Sequence, residues 1–294
     1  MRVLVTGASG QLGGYLLREL ATRKVETVAW SGSRRGSLFG VDLQPVDLAD
    51  RDAVAIAFRE ARADTVIHAG ALGRVADCFR DPERARLINT RGSAALAELA
   101  GKAGARLLHV STDHVFDGER GNYCEEDAPM PRTVYGRTKA DAEQAVQAAP
   151  RSVVVRVSLF FGPSLVGRPT LFDEQVHAAR TGKPVALFMD EWRTPLSLRT
   201  AASALVALAQ SGHVGVLHLG GPERMSRLEM GQRLAAFLGL EASFIRPIYR
   251  DDAPCEEPRP RDTSLDSSRW RALYPNYPWP KWEAALSEFM DLSQ

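Results

Sequence analysis

The chain has 294 residues, 45% apolar and 25% charged, enough to bury a large core in one large or two small domains. Its 37 Lys and Arg nearly balance 36 Asp and Glu, so no overall field favours nucleic acid or an anionic membrane. Cys78, Cys124 and Cys255 show no metal-ligand or C-x-x-C spacing, which argues against a disulfide framework and structural zinc, and without a signal-type or membrane-length apolar run the cytoplasm is the expected compartment.

Arg2 to Thr6 reads as a short buried strand, and apolar residues at helical spacing (Leu12, Tyr15, Leu16, Leu20) predict a helix from Gln11 to Thr22. The alternation continues with strands at Val25 to Trp30 and Leu43 to Val46, a helix from Asp50 to Ala61, a strand at Thr65 to Ala69 and a long helix from Pro82 to Ala103. A strand at Leu107 to Ser111, a helix from Thr133 to Ala148 and a strand at Ser152 to Ser158 follow. Strands alternating with helices predict an α/β fold, a Rossmann-type doubly wound parallel sheet covered on both faces. Beyond Ser158 a Gly/Pro-rich stretch leads to a helix near Leu171 to Thr181, strands at Val185 to Phe188 and Val216 to Leu219, and a helix from Ser226 to Leu238. The Pro- and charge-rich run from Asp251 to Asp262 reads as an ordered loop or clasp. The expected organisation is a nucleotide-binding domain over 1–158, its sheet completed by strands near 185–188 and 216–219, with a smaller α/β cap built from 159–184 and 220–294.

Thr6-Gly7-Ala8-Ser9-Gly10-Gln11-Leu12-Gly13 spaces three glycines between a strand and a helix. A pyrophosphate site needs that context, because small residues let the backbone approach the phosphates while helix N–H groups point at them. After the second strand, where NAD would call for a carboxylate, stand Ser31, Arg34 and Arg35, chemistry that suits a 2′-phosphate. NADP(H) is therefore favoured over NAD(H). Asp47-Leu48 follows the third strand, where an acid can meet the adenine amino group, and Ala69-Gly70-Ala71 follows His68 at the sheet's carboxyl edge. His68 itself is assigned to packing. Ser111-Thr112-Asp113 ends the next strand, and Tyr135 and Lys139 share one face of the following helix. A lysine close to a phenol favours the phenolate, so the pair reads as an acid/base that can meet the Thr112 hydroxyl at one carbonyl.

With these residues the chain resembles an extended short-chain dehydrogenase/reductase, and more narrowly the dTDP-4-dehydrorhamnose reductase family of sugar-nucleotide reductases. The resemblance spans TGASGQLG from Thr6, HAGA from His68, Asn89 in LINT, STDHVFDG from Ser111, EEDAPMP before YGRTK, RVSLFFGP from Arg156 and RPRDTSLDSS from Arg259. It implies that Thr112 holds the substrate carbonyl, that Tyr135 protonates the C4 oxygen as NADPH delivers hydride to C4, and that Lys139 binds the nicotinamide ribose. Asn89 would support the site's helix and a water relay, while Asp113, His114 and Val115 would line the substrate side. Arg156, Arg193 and Arg259 would be candidates for the nucleotide diphosphate.

The chain departs from that family on the substrate side. His114 stands where an aromatic residue is common, Val75-Ala76-Asp77-Cys78-Phe79 loses two acids, and Asp190-Glu191-Trp192-Arg193-Thr194-Pro195-Leu196 replaces the usual Asp-Gln-x-Gly-x-Pro-Thr. These changes bear on the sugar and leave the cofactor site and the Thr–Tyr–Lys set alone. Alternatives are an epimerase on the same scaffold, or a non-catalytic NADP-binding subunit similar to the beta subunit of methionine adenosyltransferase. The expected partner is a nucleotide-sugar substrate; a homodimer is compatible, nucleic acid and membrane are not expected, and no carboxylate cluster compels magnesium.

Overall fold

The computed structural model describes residues 1–290. Strand β1 (Arg2–Thr6) leads through the glycine turn into α1 (Gln11–Thr22), followed by β2 (Glu26–Ser31), β3 (Ser37–Leu38), β4 (Val41–Pro45) and α2 (Arg51–Ala61). The Asp50 side chain caps α2 by accepting from the Asp52 and Ala53 N–H groups, the expected use of a short acid at that position. Next come β5 (Thr65–His68), α3 (Val75–Arg80), α4 (Pro82–Ala85), a π-helical stretch over Arg86–Gly92, α5 (Ser93–Ala103), β6 (Arg106–Thr112), α6 (Val134–Gln147) and β7 (Ser152–Val157). The later chain forms β8 (Phe160–Phe161), α7 (Leu171–Thr181), β9 (Val185–Phe188), β10 (Trp192–Arg193), β11 (Leu196–Ser197), α8 (Leu198–Ala209), β12 (Gly215–Leu219), β13 (Met225–Ser226), α9 (Arg227–Phe237), β14 (Ile245–Ile248), α10 (Ser268–Leu273) and α11 (Trp282–Met290).

The main sheet has eight strands in the order β12-β7-β6-β5-β1-β2-β4-β3, all parallel except β3, which folds back on β4. Its central strands are buried on both faces, Val3 and Val5 toward α1 and α8 and Leu4, Val66, Leu107 and Val154 toward α2 and α5, as helices on both sides of a parallel sheet require. The strand order reverses between β1 and β5, and a crevice opens at the carboxyl ends of these strands.

Three expectations are corrected. Val185–Phe188 lies outside the main sheet: β9 pairs in parallel with β14, because β12 already occupies the free edge of β7. Helix α8 was not expected; Leu198, Ala201, Ala204, Leu205, Val206 and Leu208 are all buried, and only a narrow stripe through Arg199, Ser203 and Ala207 is left open, a faint periodic signal within a nearly continuous apolar run. The long helix over 82–103 is interrupted by the π-helical stretch that carries Asn89.

The cap is joined by side chains from distant parts of the chain. Arg233 on α9 binds Glu223 at 3.1 Å and Glu283 on α11 at 2.7 Å, and Phe161 packs against Trp282 and Phe289, whose ring also meets Tyr15 of α1 edge-on.

Candidate active site

The first turn has the geometry that a phosphate site needs. Gly7 has φ +68°, and a Cβ there would lie 2.7 Å from the Ala69 carbonyl and from Gly70, so only glycine allows the two turns to touch. Gly10 caps α1 without a side-chain hydrogen bond, and the helix has no acid in its first turn. Its positive end is therefore left for an anion. The turn opens on a groove of about 430 Å³ lined by Gly7, Ser9, Gly10, Ser31, Asp47, Leu48, Ala69, Gly70 and Ala71, together with Arg84 and Arg168. This donor set fits a dinucleotide: backbone N–H groups for the pyrophosphate, hydroxyls and a carboxylate further out. Gln11 turns its amide to the Arg168 carbonyl at 2.6 Å, while Leu12 and Gly13 are buried within α1, leaving backbone N–H groups as what these three can offer.

Arginine usage differs from expectation. Arg34 donates to the Val166 carbonyl at 2.8 Å, and neither Arg34 nor Arg35 lines the groove. Asp47 is gripped through both oxygens by Arg84 at 2.8 and 3.0 Å, so these two charges largely cancel. Arg168, anchored on the Ser9 carbonyl at 3.0 Å, supplies the remaining positive charge of the lining. It sits in a Gly-Arg-Pro segment about 160 residues after the turn, and no local pattern announces it.

At the carboxyl edge of the sheet Thr112 ends β6, and Tyr135 stands in the first turn of α6; neither lines the groove. Burial pushes the Tyr135 phenol up to about 12; the Thr112 hydroxyl pulls it down, and Asp113 and Cys78 push it up. Lys139, one helical turn on, is fully enclosed and donates to the Val110 carbonyl at 2.8 Å and to His109 Nε2 at 3.1 Å. Burial draws its ammonium down to about 8 against the Glu143 charge. Burial is the leading influence on the phenol, and it opposes the pull toward the phenolate expected from Lys139.

Several contacts fix the helix that carries Tyr135 and Lys139. Thr133 accepts from the Gly136 N–H at 3.0 Å, and Glu257 from the far end of the chain accepts from the Val134 N–H at 2.7 Å. A Cβ on Gly136 would lie 2.2 Å from the His114 carbonyl, so glycine after the tyrosine lets α6 press against the end of the 3-10 turn over Asp113–Val115. Asn89 accepts from the Leu72 N–H and donates to the Leu72 carbonyl and to Thr138 Oγ1. It therefore ties the helix to the turn after β5 and does not line the groove, so it is placed to support the helix and not to bind a cofactor directly.

On the substrate side the expected residues divide. His114 packs edge-on against Tyr135 with ring centres 5.7 Å apart, and its Nδ1 has no partner among the described residues. Asp113 accepts from Ser158 Oγ at 2.9 Å and faces Arg193 at 3.7 Å, which makes it a brace. Val115 is fully buried in a small cluster with Phe116 and Tyr123, so its side chain does not line a pocket. Arg156 binds Glu143 through two nitrogens, both residues buried, and points into the layer between β7 and α6 rather than to a diphosphate. Arg193 is also buried, with Glu191 at 3.4 Å and the Trp192 and Pro260 carbonyls as acceptors. Arg259 remains partly open, stacked on Phe188 and 3.6 Å from Glu191. Arg227, which also binds Glu191 at 2.9 Å, completes a cluster of three guanidiniums around one carboxylate that sequence reasoning had not assembled.

A doubly wound sheet with a glycine-rich first turn, Thr112 at the end of β6 and Tyr135 and Lys139 on α6 defines an NAD(P)-type oxidoreductase scaffold. The chain belongs to the family described as the RmlD substrate binding domain, whose model matches residues 1–294. It is 31% identical over 293 residues to dTDP-4-dehydrorhamnose reductase of Mycobacterium tuberculosis, covering 97% of this chain and 91% of that protein. It is equally 31% identical over 286 residues to methionine adenosyltransferase 2 subunit beta of Mus musculus, covering 92% and 82%. A crystal structure of a dTDP-4-dehydrorhamnose reductase from Clostridium acetobutylicum superposes over 100% of both chains with a TM-score of 0.88 and 26% identity.

Proposed function

We propose that the protein is an NADP(H)-dependent reductase of a nucleotide-linked 4-keto-6-deoxy sugar. The observation that carries this reading is a phenol in contact with the Thr112 hydroxyl, one helical turn from an enclosed ammonium, at the same carboxyl edge of the sheet as a groove with backbone N–H groups suited to pyrophosphate. When bound, NADPH would supply hydride to C4. Thr112 would orient the carbonyl, and Tyr135 would deliver its proton to the C4 oxygen, a role suited to a neutral acid. Lys139, with one N–H left after Val110 and His109, would face the nicotinamide ribose and hold positive charge beside the nascent phenolate. Arg259 and Arg227 are the guanidiniums that remain accessible for the substrate's diphosphate; Arg156 and Arg193 are not. Arg168 would add the positive charge that favours a 2′-phosphate.

A panel of 4-keto nucleotide sugars assayed by NADPH oxidation tests the reading. We expect one of them to turn over, with Tyr135→Phe retaining NADPH binding and losing about a hundredfold or more in kcat. Near wild-type reduction by that variant would remove Tyr135 from the mechanism. A second reading, a binding subunit, is favoured by the similarity to methionine adenosyltransferase 2 subunit beta. Stoichiometric capture of a synthetase, with no NADPH turnover on any sugar of the panel, would select it.

A further inference from the structure

Beneath the catalytic helix two buried histidines lie side by side, His68 on β5 and His109 on β6, with ring centres 5.1 Å apart. Their hydrogen bonds distinguish them. Ser93 Oγ donates its one proton to the Asn89 carbonyl at 2.6 Å, so toward His68 Nε2, 2.8 Å away, it accepts. His68 therefore carries its proton on Nε2, and its Nδ1 accepts from Thr6 Oγ1 at 2.6 Å. Thr6 Oγ1 in turn accepts from the Gly70 N–H at 3.1 Å, which closes the chain with every proton placed. His68 is thus fully used in joining the first turn to the turn after β5, and it has no lone pair for Lys139.

His109 is the opposite case. It has no exposed surface, its Nε2 lies 3.1 Å from Lys139 Nζ, and its Nδ1 has no partner among the described residues. A cationic imidazole would aim an N–H at an ammonium in a dry site, which is strongly disfavoured. His109 is therefore neutral, with its proton on Nδ1 and its Nε2 lone pair turned to Lys139. The groups facing the pair are His68 from β5, Glu143 from the same helix, and on β7 the apolar Val154 that pairs with His109. Glu143 is already engaged by Arg156 and by Ser111.

We propose that His109 is the positioning residue for Lys139: its Nε2 and the Val110 carbonyl hold Nζ in place and together set the pH at which the ammonium gives up its proton. The inference rests on the reductase reading only in the use to which Lys139's remaining N–H is put. Burial alone works against a charged lysine, and a neutral acceptor supplied from the neighbouring strand restores part of what water would have given.

The test follows Lys139 directly. The sequence has five lysines, so 13C-labelled lysine resolves its Cε resonance, assigned by loss in Lys139→Arg. We expect a midpoint near pH 8 in the wild type. His109→Leu should lower it by about one pH unit or more, while His109→Gln, whose amide oxygen can accept, should return it most of the way. NADPH affinity, read by fluorescence, should weaken on the alkaline side at the same midpoint in each protein. An unchanged midpoint in His109→Leu, or equal shifts with Leu and Gln, overturns the proposal. Should the Leu variant not fold, His109→Asn replaces it, being too short to reach Nζ, with the same split from Gln required. Failure of the reductase reading would show separately, as NADPH binding without turnover on any keto sugar while the lysine titration still reports on His109.

Discussion

Tyr135 and Lys139 are two ionisable groups whose shared enclosure moves them in opposite directions, the phenol up to about 12 and the ammonium down to about 8. Burial thus pushes each toward its neutral form. At this scale the arginines are the instructive case. Arg34 is engaged by Val166 and Arg168 lies in the groove. We therefore expect Arg168→Ala to weaken NADPH by roughly tenfold or more, as for a lost charge-assisted hydrogen bond, and to affect NADH little. Arg34→Ala should change both affinities alike and modestly, by loosening the 166 segment. Titrations of both cofactors by fluorescence decide this, and equal NADPH losses in the two variants would return the 2′-phosphate site to the loop after β2. Thr112, Tyr135 and Lys139 were legible in the sequence because spacing on a strand end and one helix turn fixes where they lie. The fate of Arg156 was not: its partner Glu143 sits 13 residues away on a helix, and only the packing of α6 on β7 brings the two together.

Among elements, α6 is held from three directions: by Thr133 and Glu257 at its N-terminus, by the His114 backbone against Gly136, and by Asn89 and Thr90 at Thr138. Gly136 gives a clean comparison of opposing effects. Alanine is the better helix former by about 1 kcal/mol, yet its Cβ would sit 2.2 Å from a carbonyl oxygen that belongs to backbone. The clash should win. We expect Gly136→Ala to lose roughly 2 kcal/mol or more of stability, seen as a lower urea midpoint, and to lose turnover through displacement of Tyr135. A variant as stable as wild type would mean that the 113–115 turn yields easily. The alternation that revealed the sheet was plain in the sequence, since a buried parallel strand followed by an amphipathic helix leaves two distinct periodicities. Strand β9 misled because a short, half-exposed β run carries no mark of which sheet it joins. Helix α8 and the π-helical stretch gave faint local signals of another kind, the first because its open stripe through Arg199 and Ser203 is narrow and the second because it depends on how Asn89 reaches Leu72 and Thr138.

For the molecule as a whole, buried neutral histidines couple stability to acidity. Burial, then the Lys139 charge, lowers His68 to about 3, and burial, then Arg156, lowers His218 to about 4; His109 is lowered as well, by burial and Lys139. The unfolded chain takes up these protons near the ordinary value of 6.5. Between 6.5 and about 4 it therefore binds more protons than the folded chain, and stability falls as pH drops through that window. His68 and His218 should each cost roughly 2 kcal/mol at pH 5, so the urea midpoint should be clearly lower at pH 5 than at pH 7. His218, hydrogen-bonded to the Tyr123 carbonyl well away from the groove, allows a control: His218→Gln should flatten the dependence. Equal midpoints at the two pH values would show that these imidazoles admit protons in the folded state.

The Glu257 contact also orders events during translation. The glycine turn, Thr112, Tyr135 and Arg168 all precede residue 257 in the chain, so the carboxylate that accepts from the Val134 N–H is the last of these parts to be made, and Trp282 and Phe289, which pack on Phe161 and Tyr15, follow it.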